Sequence, residues 1–223
     1  MLLAIDTCGD LGSAVLADVT PAGMEVRAEA DLVGKTYSAL LIPTIWELLE
    51  ASGARIDEMQ VLVVVNGPGS FTGVRVGVSA IKGLAEAAGL PVIAVSRLEL
   101  LARRSEPGLT CAVLDAGRGE CYAGLYDSGI RVREALVSSD QLRELLVESG
   151  ARLVICEERL EEKLSAFAPE LVDAPTAVDA ARAGTERLTA GIFDDVVLLD
   201  GNYLRRSDAE IFAKKATPEP AAK

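Results

Sequence analysis

The sequence contains no histidine. That absence removes Ser-His-Asp and Cys-His nucleophile systems, imidazole acid/base work and H-E-x-x-H metal sites together. Any chemistry would have to run on carboxylates, Lys, Tyr, Cys or backbone amides. Cysteine is sparse: Cys8, Cys111, Cys121 and Cys156, with no C-x-x-C pair. A chain of 223 residues needs no disulfide to hold a core, so reduced thiols and a cytoplasmic setting are expected. Aromatics make up 4% of a chain that is 50% hydrophobic, so the core must be built from Leu, Val, Ile and Ala. No apolar run approaches the ~18 residues that span a membrane. The opening Met1-Leu2-Leu3-Ala4-Ile5-Asp6 lacks a basic n-region and reads as a buried strand, not a signal peptide. Basic side chains are outnumbered, 22 against 34 acids, for a net charge of −12. Such a surface repels phosphate backbones, so this chain alone is not expected to hold nucleic acid.

Residues 2–6, 13–18 and 24–33 read as a three-strand meander, with Pro21-Ala22-Gly23 as one turn. Residues 38–52 read as a helix with Ser38 as N-cap and Gly53 as stop. The apolar run 61–65 reads as a strand buried on both faces. A Gly-rich stretch over 66–73 leads into a helix from about 74 to 88. A strand at 92–95 and a helix at 96–104, with Ser96 and Glu99 as a capping box, complete this part. Ser105-Glu106-Pro107-Gly108 reads as a boundary between halves 1–105 and 106–212. The second half reads as strands 111–115, 120–126, 130–137 and 152–156 and helices 139–148, 157–167 and 176–190. The tail 213–223 is expected to be disordered.

Asp6 and Asp115 each end an apolar strand, precede a Gly-containing turn and lead into another strand. Laying one on the other brings Ala14 onto Ala123 and Leu16 onto Leu125. Two meanders followed by helices suggest a duplicated α/β unit. Both aspartates have two readings: they could hold a metal-bound nucleotide, or they could cap turns. Lys35, Tyr37 and Arg75 are further candidates for ligand contact.

The stretch Asn66-Gly67-Pro68-Gly69-Ser70-Phe71-Thr72-Gly73 lies between a strand and a helix, where amides can hold an anion. It is neither a Walker A loop nor a Rossmann fingerprint. A structural turn is the competing reading. In the helix that follows, Arg75, Lys82 and Glu86 form one narrow stripe, and the rest is apolar or tiny. A helix lying on a lone sheet needs only one apolar side. Gly77 and Gly83 make sense in its interior if another backbone comes close. Helix 38–52 is also over-apolar: Leu40, Leu41, Ile42, Ile45, Trp46, Leu48 and Leu49 cover much of its circumference. Trp46, the single tryptophan, is a residue type enriched at interface hot spots. The two helices therefore suggest a docking face of about 800 Å² per partner. The alternative is that both are sunk in their own protein.

The run Asn66–Gly77 followed by Lys82-Gly83-Leu84-Ala85 closely resembles the signature of the TsaB (YeaZ) family. So do Ala4-Ile5-Asp6-Thr7, the middle segment Leu114–Ala123 and the late segment Asn202–Glu210. The resemblance implies an actin/Hsp70-like (ASKHA) fold, a duplicated ribonuclease-H-like α/β fold of two related halves. It implies a complex with a paralogue, TsaD, and an ATPase, TsaE. That complex transfers threonylcarbamoyl from its adenylate to N6 of adenosine 37 of tRNA. The metal and active site lie on TsaD, held there by a His-x-x-x-His motif that cannot exist here. The implied docking residues are Leu41, Ile45, Trp46, Val76, Ala80, Gly83 and Ala87. The same face would also serve a homodimer. The chain would have no cofactor or catalytic residue of its own. ATP or ADP at the complex interface would meet Asp6, Gly69, Ser70, Thr72 and Arg75. Many relatives have His-Ser where this chain has Tyr37-Ser38. The competing hypothesis is a stand-alone ATP-binding or ATP-hydrolysing enzyme of the sugar-kinase/Hsp70 type, with Asp6 and Asp115 near metal and phosphates.

Overall fold

Leu2–Asp6 is apolar up to its last residue, and it forms a central strand, β1, buried along its whole length. The computed structural model describes residues 1–33 and 36–205. The tail expected over 213–223 lies outside the described residues, as do Lys35 and the 206–210 end of the late motif. Strands β2 (Leu11–Thr20) and β3 (Gly23–Val33) continue the meander. Then come helix α1 (Tyr37–Ser52), β4 (Val61–Val65), α2 (Phe71–Ala88), β5 (Val92–Val95) and α3 (Arg97–Ala102). The second half repeats the plan: β6 (Leu109–Gly117), β7 (Glu120–Asp127), β8 (Ile130–Ser138), α4 (Ser139–Ser149), β9 (Arg152–Ile155), α5 (Glu158–Lys163), β10 (Glu170–Leu171) and α6 (Ala177–Thr189).

The sheets run β3-β2-β1-β4-β5 and β8-β7-β6-β9-β10. In both, the first three strands are antiparallel and the last two join in parallel. The identical order is the duplication expected from the sequence, and it gives the ribonuclease-H-like, actin-like architecture. The sequence register needs one correction. Asp6 pairs with Ser13, whereas Asp115 pairs with Cys121, because the turn in the second half is one residue shorter. Val15, not Ala14, is therefore the counterpart of Ala123, and a slip of one residue exchanges the faces of a strand.

The layers interlock. Helices α1 and α2 pack on the first sheet, α1 over β2 and β3 and α2 over β4 and β5. Helix α6 follows the second sheet in sequence, yet it packs across β1, β2, β4 and β5. Its small residues Ala177, Ala180, Ala181 and Ala183 join the first core. Helix α3 does the converse: Leu98 and Leu101 pack with Ala112, Leu114, Tyr126 and Val154 of the second sheet. Arg103 and Arg104 at the end of α3 reach Glu186 and Asp179 of α6 at 2.7 and 2.6 Å.

Three local expectations change. No side chain caps α1, so Ser38 is not its N-cap. Helix α2 begins at Phe71, earlier than 74, because the Ser70 hydroxyl accepts the Gly73 N–H at 3.3 Å. Ser96 and Glu99 form no capping box; Ser96 donates its hydroxyl to Glu134, and Glu99 receives Arg187 at 2.6 Å. The segment after α6 runs back as a strap along the β5 edge. Asp194 takes part in a bridge with Val92, Asn202 N–H donates to Asn66 O at 2.7 Å, and Lys82 Nζ holds Leu199 O at 2.9 Å. An open sheet edge is thereby covered.

Candidate docking face and the strand-end aspartates

Asp6 closes β1 with a carboxylate that is 1% exposed. Its Oδ1 accepts the Cys8 N–H at 2.7 Å, an Asx-type turn that holds the chain as it leaves the strand. Its Oδ2 faces Arg97 Nε at 3.7 Å. Asp115 closes β6 in the same manner, accepting Gly117 N–H at 2.7 Å and facing Arg159 Nε at 3.2 Å. Both aspartates therefore cap turns and both already have a cation.

The Gly-rich stretch, which contains a cis Gly67–Pro68 bond, packs against the turn after β1. Ser70 N–H donates to Cys8 O at 2.8 Å, and Thr7 Oγ1 donates to Gly73 O at 2.7 Å. A Cβ on Gly69, Gly73 or Gly77 would stand within 3.0 Å of Cys8 O, Thr7 O or Thr7 Oγ1. These glycines exist so that two backbones can touch. The structural reading of the stretch accounts for these contacts: half-buried Gly69 packs against Cys8, and the N–H and hydroxyl of Ser70 are both used by the backbone. Tyr37 adds a third clamp. Its hydroxyl donates to Gly9 O at 2.8 Å, and burial, with the Asp6 carboxylate nearby, pushes it up to about 12. Burial also raises the Cys8 thiol well above its ordinary range. Of the proposed nucleotide contacts, only Thr72 and Arg75 are exposed without a backbone duty, and Arg75 stacks on the Phe71 ring at 3.7 Å.

The docking residues divide. Leu41 and Ile45, at 1% and 0% exposure, pack into the chain's own core and cannot line a partner surface. The helix turns them toward β2 and β3, and Trp46, one position on, is 48% exposed, with Leu40 and Ile42 also exposed on the same helix. Val76 and Ala80 are half-buried, while Gly83 and Ala87 are exposed. Gly77 is explained by Thr7, but among the described residues nothing lies within 4 Å of a Cβ on Gly83. Between the C-terminal ends of α1 and α2 runs a groove of about 630 Å³ lined by Trp46, Leu49, Ala54, Ile56, Leu84 and Ala87. The sequence reading missed Arg97, Arg159 and the strap. An arginine at a helix start carries no local signal that it will reach a distant aspartate. Among the described residues, no helix is long and apolar enough to cross a membrane.

A family model described as "TsaD: tRNA N6-adenosine threonylcarbamoyltransferase" matches residues 31–179. The chain is 40% identical over 129 residues to the tRNA threonylcarbamoyladenosine biosynthesis protein TsaB of Bacillus subtilis (strain 168), covering 56% of this chain and 54% of that protein. To the TsaB of Escherichia coli (strain K12) it is 35% identical over 130 residues, with the same coverage. The solved structure of YeaZ from Pseudomonas aeruginosa superposes with a TM-score of 0.71, covering 91% of this chain and 99% of that one at 23% identity, a likeness of fold. The chain belongs to the TsaB/YeaZ family. It spans about half the length of the curated relatives it matches. In this TsaB/YeaZ chain the Gly-Pro-Gly-Ser-Phe-Thr-Gly run locks the first turn to α2. The segment Leu114–Ala123 forms the β6–β7 turn, and the described part of the late segment, Asn202–Arg205, ends the strap.

Proposed function

We propose that the chain is a non-catalytic, cytoplasmic subunit of an assembly that makes N6-threonylcarbamoyladenosine in tRNA, docking through α1 and α2 onto a TsaD-type catalytic partner, with TsaE as a further member. The observation that carries this reading is the two-helix face. Trp46 stands 48% exposed beside a groove, and beside its narrow polar stripe of Arg75, Lys82 and Glu86 α2 also leaves Val76, Ala80, Gly83 and Ala87 half-buried or exposed. Small residues let a partner helix approach closely, and an exposed Trp supplies an anchor. The names of the curated relatives support the pathway. The absence of histidine supports leaving metal chemistry to the partner. A net charge of −12 supports contact with tRNA through the assembly. ATP or ADP at the complex interface would be left with Thr72 and Arg75 as contacts from this side. The stand-alone ATPase reading is disfavoured, since the two strand-end carboxylates and the Gly-rich loop are committed to internal contacts.

Co-expression with a TsaD-type partner tests the proposal. Gly83→Arg and Trp46→Asp should abolish co-purification and leave the melting temperature within a few degrees of wild type. Retained co-purification by both variants would sink the docking face. Sedimentation of the chain alone would then report whether a second copy uses the same surface.

A further inference from the structure

We propose that Arg97 is a built-in counter-ion that takes the place of a ligand-borne cation beside Asp6, closing the strand-end site of the first half to metal–nucleotide complexes. The inference stands independently of the docking face. Arg97 and Asp6 have side chains 11% and 1% exposed. Among the described residues neither Asp6 Oδ2 nor Arg97 Nε has a hydrogen-bond partner, and they face each other at 3.7 Å. The pair is held by charge, in a place where an uncompensated carboxylate would be costly. The guanidinium also lies against Gly9, where any Cβ would meet it within 3.0 Å.

Several groups that a metal-bound nucleotide would need at this turn are already in use. A metal would require the carboxylate oxygen that faces Arg97, and it would meet a guanidinium of like charge. A phosphate would draw on the turn's amides, and the first of them, Cys8 N–H, is given to Asp6 Oδ1. The carbonyls of Cys8 and Gly9 are taken by Ser70 N–H and the Tyr37 hydroxyl. Arg97 itself is fixed at its backbone, its N–H donating to Gly67 O at 2.7 Å. The residues present do not fit a metal-bound nucleotide, and the turn holds its shape without one.

Thermal unfolding of the full chain tests this, with Mg-ATP as the probe ligand. Asp6→Asn and Arg97→Met should each lower the melting temperature by about 10 °C. The double variant should lose clearly less than the sum of the two. Mg-ATP should leave the wild-type melting temperature unchanged. Additive losses would overturn the counter-ion role. So would a Mg-ATP-dependent rise in wild type that Asp6→Asn abolishes. If Arg97→Met fails to fold, Arg97→Lys keeps the charge and should fold with an intermediate melting temperature. An Arg97→Lys chain that also fails to fold would equally count against a role carried by charge.

Discussion

Asp6 and Asp115 hold their turns in the same way in the two halves: one carboxylate oxygen accepts the N–H two residues on, at 2.7 Å in each case, and the other faces an arginine. What differs is water. The Asp6–Arg97 side chains are 1% and 11% exposed, whereas the Asp115–Arg159 side chains are 12% and 58% exposed. Solvent screens the second pair and leaves the first to its own electrostatics. Asp6→Asn should therefore cost about 3 kcal/mol, and Asp115→Asn under about 1 kcal/mol. Urea unfolding of the two variants measures both; equal losses would mean that burial does not set the cost.

Glycines in α2 separate contact from vacancy. Gly73→Ala and Gly77→Ala put a methyl within 3.0 Å of Thr7 atoms, so the strand-end turn or the helix must shift. A loss of about 1–3 kcal/mol is expected, as for other overpacked sites. Gly83→Ala meets nothing among the described residues and should stabilise the helix by up to about 1 kcal/mol through propensity alone. Calorimetric melting of the three variants gives the signs. A destabilising Gly83→Ala would show that the position is not open.

Much of the fold was legible because it rests on local pattern. The meanders, the buried run Val61–Val65 and the repeat around Asp6 and Asp115 follow from strand periodicity and turn residues. Turn length was not legible, and the missing residue between β6 and β7 moved the register by one. Helix phase failed in α1 for a physical reason: a helix that is apolar on most sides does not declare which side faces the sheet, so Leu41 and Ile45 looked like Trp46. The exchange of α3 and α6 between halves left no trace in either helix: α3 is too short to show a period and is buried on every side, and α6 buries only alanines and a glycine. Ser96 and Glu99 satisfied the spacing of a capping box, yet they bond Glu134 and Arg187 from distant segments and not the helix end. Long-range polar pairs of this kind have no sequence period to read.

The neighbours Ile45 and Trp46 turn that ambiguity into a test. Ile45 is fully buried, and Ile45→Ala should cost about 2–4 kcal/mol of stability. Trp46→Ala should cost less than about 1 kcal/mol of stability and instead weaken partner binding by about 2 kcal/mol, roughly thirtyfold in Kd. Urea denaturation and calorimetric titration with the partner separate the two effects. A large stability loss at Trp46 with unchanged binding would return it to the core.

Thiol reactivity should follow burial. Burial pushes Cys111 up to about 12 and Cys121 up to about 11, and raises Cys8 well above the ordinary thiol range. All three are buried, whereas Cys156 is half-buried and raised for the same reason. A thiolate-selective reagent at neutral pH should label Cys156 first and slowly, and label all four only after unfolding. Rapid labelling of Cys8 in the native chain would mean that the turn after β1 opens, contrary to its three clamps.

Tyr37 supplies a pH signature of that same turn. Its hydroxyl donates to Gly9 O and titrates at about 12 in the folded chain, raised by burial and then by the Asp6 carboxylate. In the unfolded chain it titrates near its ordinary value of about 10. The neutral form is thus favoured by folding. Its contribution is fully present below about pH 10 and is lost as pH rises from there through about 12. Buried thiols lose stability in the same direction, so the wild-type curve alone does not isolate the tyrosine. The difference between wild type and Tyr37→Phe does: it should be constant through neutral pH and shrink above about pH 10. Stability measured by urea unfolding across this range checks it. A difference that stays constant into strong alkali would show that the Tyr37 hydroxyl does not hold Gly9, and the clamp on the first turn would rest on Arg97 and the glycine loop alone.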